Sequence, residues 1–479
     1  MVGCWRGLVA LAPPERPQSA IADGSGRPAF RAPTVPFGPP SIPQLDDEVA
    51  ASGLRAAVGP PVLEPRTPDR LPPLDLLHGP QEPIPPVEAG DRGRLVAGVL
   101  ADFGIAGTIG APQAGPVVTR FAFDPAPGVR PGRVIGLADE IAHALGLRAL
   151  RITTAADGGP RLIIEVPAAD RLTIALAPLL KAAAFEHTAA RLPIVVGADL
   201  GGGAVVDDLA RHGALLIAGS PQAGVGTVLR SLLLSLVYRQ PATRCRFLVV
   251  DPGGVRLAAL ADLPHRDQPM VTDPAAGVAA IAGLVDEVER RHRLIAKAGV
   301  RGLDAYNARV ADLAGADARR LRTVQIGFDP VDNRPIYAEQ PVDLAPLPIL
   351  VAVVGEIAPL VASDRAAVVH ALTRLAPIAA PVGVHVLVAT RNPSAESLPS
   401  DLLAALPTRI VARLPGRLES RRLTGSTGAE SLLGAGDCLW LEPGKPARRL
   451  HAPLVRDDEL RAVARFVRER QASQPAIAA

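Results

Sequence analysis

Lysine is almost absent from this chain: Lys181, Lys297 and Lys445 are the only three, against 51 basic residues in all. Nearly every positive charge is therefore an arginine guanidinium. The bias fits a GC-rich coding sequence, as do the abundant Ala, Pro and Gly. Cysteine is equally scarce. Cys4, Cys245 and Cys438 lie far apart and form no ligand pattern, which excludes a disulfide framework and a zinc site and points to a reducing compartment. Aromatic residues make up 3% of the chain, so the core must be built from Leu, Val, Ile and Ala. No run approaches the roughly 18 uncharged apolar residues of a membrane helix. The apolar patch in MVGCWRGLVALAPPERP is cut short by proline and is no signal-peptide core; a bacterial cytoplasmic location is expected. The net charge of +3 gives no bulk reason to bind nucleic acid and leaves room only for a local basic stripe.

What is present is apolar: 48% of 479 residues, enough for a large core and, by length, about two or three domains. Residues 1–86 hold 19 of the 50 prolines and show little hydrophobic periodicity, so they read as a disordered or extended linker. RLVAGVLADFGI, from near Gly93, has helical spacing. Residues 87–192 then read as a small α/β domain. Its strands are GPVVTRFAFDP and PRLIIEVP, and its helices GRVIGLADEIAHALGL and RLTIALAPLLKAAAF. From 193 to 470 buried strands alternate with helices: LPIVVG, GALLIAG, RCRFLVVD, LPILVAVVG, GVHVLVAT and TRIVARL, with helices from Gly277 to Lys297 and Ser363 to Ala376. Continuous Val/Ile/Leu runs suit parallel strands covered on both faces, so an α/β domain with a central, mostly parallel sheet is expected. Residues 471–479 are a tail.

The stretch AGSPQAGVGT, residues 218–227, lies between a strand and a helix, the layout of a phosphate-binding P-loop, G-x-x-x-x-G-K-[ST]. Gly219, Ser220, Pro221, Gln222, Ala223 and Gly224 fit the loop, but the lysine position holds Val225 and the hydroxyl position Gly226. Backbone N–H groups and a helix N-terminus would still face a phosphate. The lysine contact and half of the magnesium site are missing. Thr227 stands one position late, turned by about 100° around the helix. The second strand should end in Asp-Glu. LPILVAVVGEIAPL ends in Gly355–Glu356, which leaves a glycine in the metal-holding place and Glu356 where a water-activating base would sit. A glutamate after a strand is also, commonly, just a solvated loop residue.

Together with further motifs this pattern resembles the FtsK/SpoIIIE DNA translocases, from about Leu71 to about Arg470. Residues 87–192 are matched to that family's α domain, with GPVVTRFAFDPAPGVRPGRVIGLADEIAHAL resembling its start. The RecA-like P-loop motor domain is matched by FLVVDP, LPH, VTD, DEVERRHRLIAKAGVRGLDAYNARV, GVHVLVATRNPS, LPTRIVARL, ESRRL and GAESLLGAGDCLWL. The resemblance implies a homohexameric ring that moves along double-stranded DNA with ATP and Mg2+ during chromosome partition and cell division. The family's division proteins also carry N-terminal membrane helices and often a C-terminal winged-helix domain. Neither is recognised here, so anchoring and sequence reading are not expected. Where the family has chemistry, this chain departs from it. Besides Val225, Gly226 and Gly355, Pro359 replaces a later Asp, Gly253 replaces the lysine after Asp251–Pro252, and Arg391 replaces the polar sensor residue after Thr390. The scaffold residues around these positions remain.

Three readings follow. In the first, the chain is a pseudo-ATPase that keeps the fold and binds DNA, alone or in a mixed ring with an active paralogue. In the second, it is an active translocase in which Arg391 or Arg230 supplies substitute charge. In the third, it is an interaction scaffold working through its proline-rich segment. Candidate DNA contacts are Arg301, Arg309, Arg319, Arg320 and Arg322, which a solvated helix face would explain equally well. Arg421, in ESRRL, is a candidate for an inter-subunit contact. His265 and His292 are expected to be structural.

Overall fold

A computed structural model describes residues 71–79, 89–147, 149–155, 159–168, 172–315, 321–328, 335–341 and 345–472. Most of the expected linker lies outside these residues. Its stretch 71–79 does not: Leu77 is buried, the Tyr238 hydroxyl donates to the Pro73 carbonyl at 3.1 Å, and the His78 amide donates to Glu459 at 2.7 Å.

The first layer combines helices α1 (Ala89–Asp102), α2 (Pro131–Gly136) and α3 (Ala138–Ala144) with strands β1 (Gly107–Ile109), β2 (Gln113–Ala114), β3 (Val118–Pro125), β4 (Arg151–Thr154) and β5 (Leu162–Pro167). The strands form an antiparallel sheet in the order β1-β3-β5-β4, with β2 on β3. Alternation in β3 turns Phe121 and Phe123 inward against Val96, Leu100, Ile141 and Ile164. The single helix expected over GRVIGLADEIAHALGL is two, broken at Leu137, whose ψ of 11° leaves the helical region. The helix expected over RLTIALAPLLKAAAF also divides, into α4 (Leu176–Lys181) and α5 (Ala183–Glu186). Pro178 has no amide to give an earlier turn, so it is tolerated only within the first turn and delays the start to Leu176. Ala182, extended at ψ 140°, separates the two. Leu176, Leu179, Leu180 and Phe185 pack in the second core, not the first. Residues 176–185 thus pack with the second layer, as does Leu77.

The second layer holds a nine-stranded sheet. Its strands are β6 (Pro193–Ala198), β7 (Ala204–Asp208), β8 (Ala214–Ala218), β9 (Cys245–Val250), β12 (Ile349–Val354), β13 (Val384–Thr390), β14 (Arg409–Ala412), β15 (Asp437–Leu441) and β16 (Arg448–His451), in the order β7-β6-β16-β15-β14-β8-β13-β12-β9. The expected parallel sheet is its β14-β8-β13-β12-β9 block; the remaining pairs run antiparallel. A separate hairpin joins β10 (Leu321–Phe328) to β11 (Pro335–Pro341). Helices α6 (Val225–Val237), α7 (Pro274–Lys297), α8 (Gly302–Gly315), α9 (Ala358–Ser363), α10 (Arg365–Ile378), α11 (Ser400–Ala405), α12 (Arg417–Thr424) and α13 (Asp457–Ala472) complete it.

Local chemistry sets these elements. β12 and β13 are buried at every position, as expected for covered parallel strands. α6 is buried nearly all round, and its two core serines are satisfied: Ser231 Oγ donates to the Val228 carbonyl, and Ser235 Oγ donates to the Ser231 carbonyl and accepts from the Val195 amide. α7 starts where Asp273 caps the Ala276 amide at 2.8 Å and Pro274 takes the first helical place. Arg291 of the E-x-E-R-R stretch is buried, bonding the Pro348 and Val382 carbonyls beside the starts of β12 and β13. Asn307 pairs both ways with the backbone of Leu347.

Candidate nucleotide site

The parallel block aligns four strand ends. Val354 of β12 stands opposite both Val250 and Val388, and Thr390 opposite Ala218. The glycine loop after β8, Gly355–Glu356 after β12, Arg391 after β13 and Asp251 after β9 therefore share one edge of the sheet. This is where ligands bind in open α/β sheets.

The loop keeps the shape that a phosphate cradle requires. The Gly219 amide donates to the Thr390 carbonyl at 3.2 Å, the Ser220 amide to Arg413 at 2.8 Å and the Ala223 amide to Ser220 at 3.1 Å. Pro221 and Gln222 form the exposed tip. Gln222 has φ 64°, uncommon for a residue with a side chain. Gly224 sits at φ 105° and a Cβ there would come within 2.3 Å of the Gly436 amide, so glycine is required. α6 begins at Val225 with no side-chain cap, and the first-turn amides of Val225, Gly226 and Thr227 have no acceptor within the helix. Charge is what the loop lacks. Val225 is buried, against Gly219, and contributes packing instead of an ammonium. Gly226 faces open space, and Thr227 is half-buried one step round the helix.

Beside the metal-holding position the neighbouring strand also presents a carboxylate. Asp251, fully buried, accepts the Arg256 and Leu257 amides on Oδ2. Its Oδ1 has no hydrogen-bond partner and points at Gly355, where a Cβ would lie 2.8 Å from it. A carboxylate on residue 355 would meet both a steric overlap and a like charge.

Glu356 is not a solvated loop residue. It is 4% exposed, and its Oε2 accepts from Arg256 Nη1 at 2.6 Å and from the Arg391 amide at 3.1 Å, while Thr390 Oγ1 donates to Oε1 at 2.6 Å. Its charge is balanced by Arg256, one-third exposed, with Arg391 Nε further off at 3.9 Å. Magnesium fits this set poorly: the hydroxyl and the aspartate that would hold it are glycines, Glu356 already has Arg256 as its cation, and Asp251 offers only the single buried oxygen Oδ1.

Arg256 is the site residue that sequence reasoning missed. Its signal is a basic residue reappearing three places after Gly253, where the family's lysine is gone. The Gly253–Gly254 turn, with φ 87° and 67°, carries it back toward β12. Arg230, a candidate substitute charge, pairs with Asp457 at 2.8 Å and reaches the Arg256 carbonyl at 3.4 Å, so its guanidinium is committed elsewhere. Arg391 is partly exposed and adjacent to Glu356. Arg421 lies exposed on α12, whereas its neighbour Arg422 ties that helix to the Pro393 and Leu398 carbonyls. Arg301 and Arg309 are exposed, just before and within α8. Arg319 and Arg320 lie outside the described residues, and for Arg322 only the backbone, in β10, is described. His265 donates from Nε2 to the Gln240 carbonyl and stacks on Phe247; burial pushes its pKa down to about 4. His292 bonds the Ile378 carbonyl at 2.9 Å. No helix among the described residues is long and apolar enough to cross a membrane.

A glycine loop between β8 and α6, and β13 inserted between β8 and the strand carrying Glu356, define a RecA-like P-loop NTPase motor fold. The FtsK/SpoIIIE family model matches residues 175–395 and the FtsK alpha domain model residues 71–168. The chain is 38% identical over 402 residues to the DNA translocase FtsK of Bradyrhizobium diazoefficiens, covering 83% of this chain and 49% of that one. It is 38% identical over 376 residues to that of Caulobacter vibrioides, covering 78% and 46%. A solved structure of the pCW3 conjugation coupling protein TcpA, a monomer form with ATPγS, is similar over 79% of this chain and 99% of that chain, at 17% identity and a TM-score of 0.49. The chain belongs to the FtsK/SpoIIIE family. It spans about half the length of these translocase relatives.

Proposed function

We propose that this protein is a pseudo-ATPase of the FtsK type: a motor fold that binds double-stranded DNA, alone or in a ring with an active paralogue, and does not turn over ATP. Its setting would be chromosome partition and division in the bacterial cytoplasm. The observation that supports the reading is glycine at two metal-holding positions, Gly226 and Gly355, beside a Glu356 already paired with Arg256. Loss of a lysine removes a charge-assisted phosphate contact of about 1.5–3 kcal/mol. Loss of the metal removes the group that offsets charge developing on the transferred phosphoryl. The DNA half rests on family membership and on exposed arginines such as Arg301 and Arg309. An electrophoretic shift of duplex DNA by the full chain at low salt is the test. A shift that weakens steeply as salt rises is expected; no shift even at about 100 μM protein, the weak end of non-specific binding, would end the DNA-binding reading.

A further inference from the structure

Beneath the glycine loop lies a buried ionic chain that reaches into the first layer. Asp437, at the start of β15, is gripped by Arg449 of β16 through two parallel bonds, Nε to Oδ1 at 2.9 Å and Nη2 to Oδ2 at 2.6 Å. The third donor of the same guanidinium, Nη1, reaches Glu165 Oε2 on β5 at 2.6 Å, and Arg151 of β4 donates to that oxygen at 3.0 Å. Asp437, Arg449 and Glu165 are at most 4% exposed in their side chains. Burial pushes both carboxyls up, but Arg449 outweighs it and holds them below the usual range. On the other side, Asp437 closes the Gly434–Ala435–Gly436 turn by accepting the Leu433 amide at 2.7 Å. That turn touches the P-loop directly: the Gly436 amide donates to the Ala223 carbonyl at 3.1 Å. Gly436 adopts its φ of 104° freely, but Ala435, at φ 53°, is a residue with a side chain held in the left-handed region, a costly shape that needs its surroundings to keep it.

We infer that Glu165, Arg449 and Asp437 are positioning residues that set the shape of the P-loop from the α domain. Glu165 orients the Arg449 fork, the fork fixes Asp437, and Asp437 fixes the turn against which Ala223 and Gly224 rest. A displacement of β5 would then reach the P-loop through one guanidinium. A planar fork transmits orientation in a way that a point charge does not.

The test is hydrogen–deuterium exchange on the full chain carrying Glu165→Gln, an isosteric change that removes only the charge. Amides in residues 219–228 and 433–437 should exchange at least about tenfold faster, while α7 keeps its protection. Glu165→Asp, which keeps the charge but withdraws it by one methylene, should give a smaller acceleration in the same peptides and serves if the glutamine variant does not fold. Asp139→Ala, which breaks the exposed Arg417–Asp139 pair between the same layers, should leave the P-loop unchanged. Unaltered P-loop exchange in the Glu165 variants, acceleration spread evenly over the chain, or an equal effect from Asp139→Ala would each overturn the inference.

Discussion

At the residue scale, two side chains decide the state of the site: Arg256 and Asp251. Removing Arg256 strands a buried Glu356 carboxylate. Breaking a fully buried pair costs about 3–5 kcal/mol, and the one-third exposure of Arg256 lowers that to about 2; Arg256→Ala should lower unfolding stability by that amount in a urea titration. Gly355→Asp, the apparent repair of the metal site, should destabilise by about 1–3 kcal/mol through overpacking against Asp251 and should not restore hydrolysis. Gly226→Ser, by contrast, meets nothing within 4 Å and should stay within about 0.5 kcal/mol of the parent. The pH dependence belongs here too. Burial holds both His265 and His385 down to about 4, below the ordinary value near 6.5. Between those values the unfolded chain takes up protons that the folded chain does not, so stability is lost as pH falls from about 6.5 toward 4, by roughly 3 kcal/mol per histidine at most. His265→Gln should flatten that part of the pH–stability profile; an unchanged slope would mean that this histidine is not held neutral.

At the element scale, the strands were the most legible part. Six apolar runs named from sequence are all strands; one, LPIVVG, is buried as β6 but pairs antiparallel with β7 and β16, and the other five form the parallel block, where covered strands need continuous branched apolar residues. The P-loop was legible as a layout for the same reason, with glycines where the backbone turns sharply. Helices were read less well where proline or an extended alanine breaks them, as at Pro178 and Ala182. The short antiparallel strands β15 and β16 were missed as strands, since DCLWL and RRLH have too few residues to show a period. What the site has become was hidden for a topological reason: Arg256 and Glu356 are 100 residues apart, and only the pairing of β9 with β12 brings them together. At α8, exposed Arg301 and Arg309 give a separate expectation. The double change to alanine should weaken duplex binding uniformly across sequences and lower the salt slope by up to about 2, as for phosphate contacts.

At the scale of the whole molecule, the two layers are joined by buried charge and not only by apolar contact. Arg449 lies between Asp437 and Glu165 at the seam. On the proposed reading, a scaffold for DNA and neighbouring subunits surrounds a nucleotide site in which Glu356 is paired with Arg256. The most direct measurement is steady-state hydrolysis of magnesium ATP by the full chain, with and without duplex DNA, alongside Glu356→Ala. The account predicts no turnover above blank in either condition and no difference between parent and variant. DNA-stimulated hydrolysis that disappears in Glu356→Ala would contradict it.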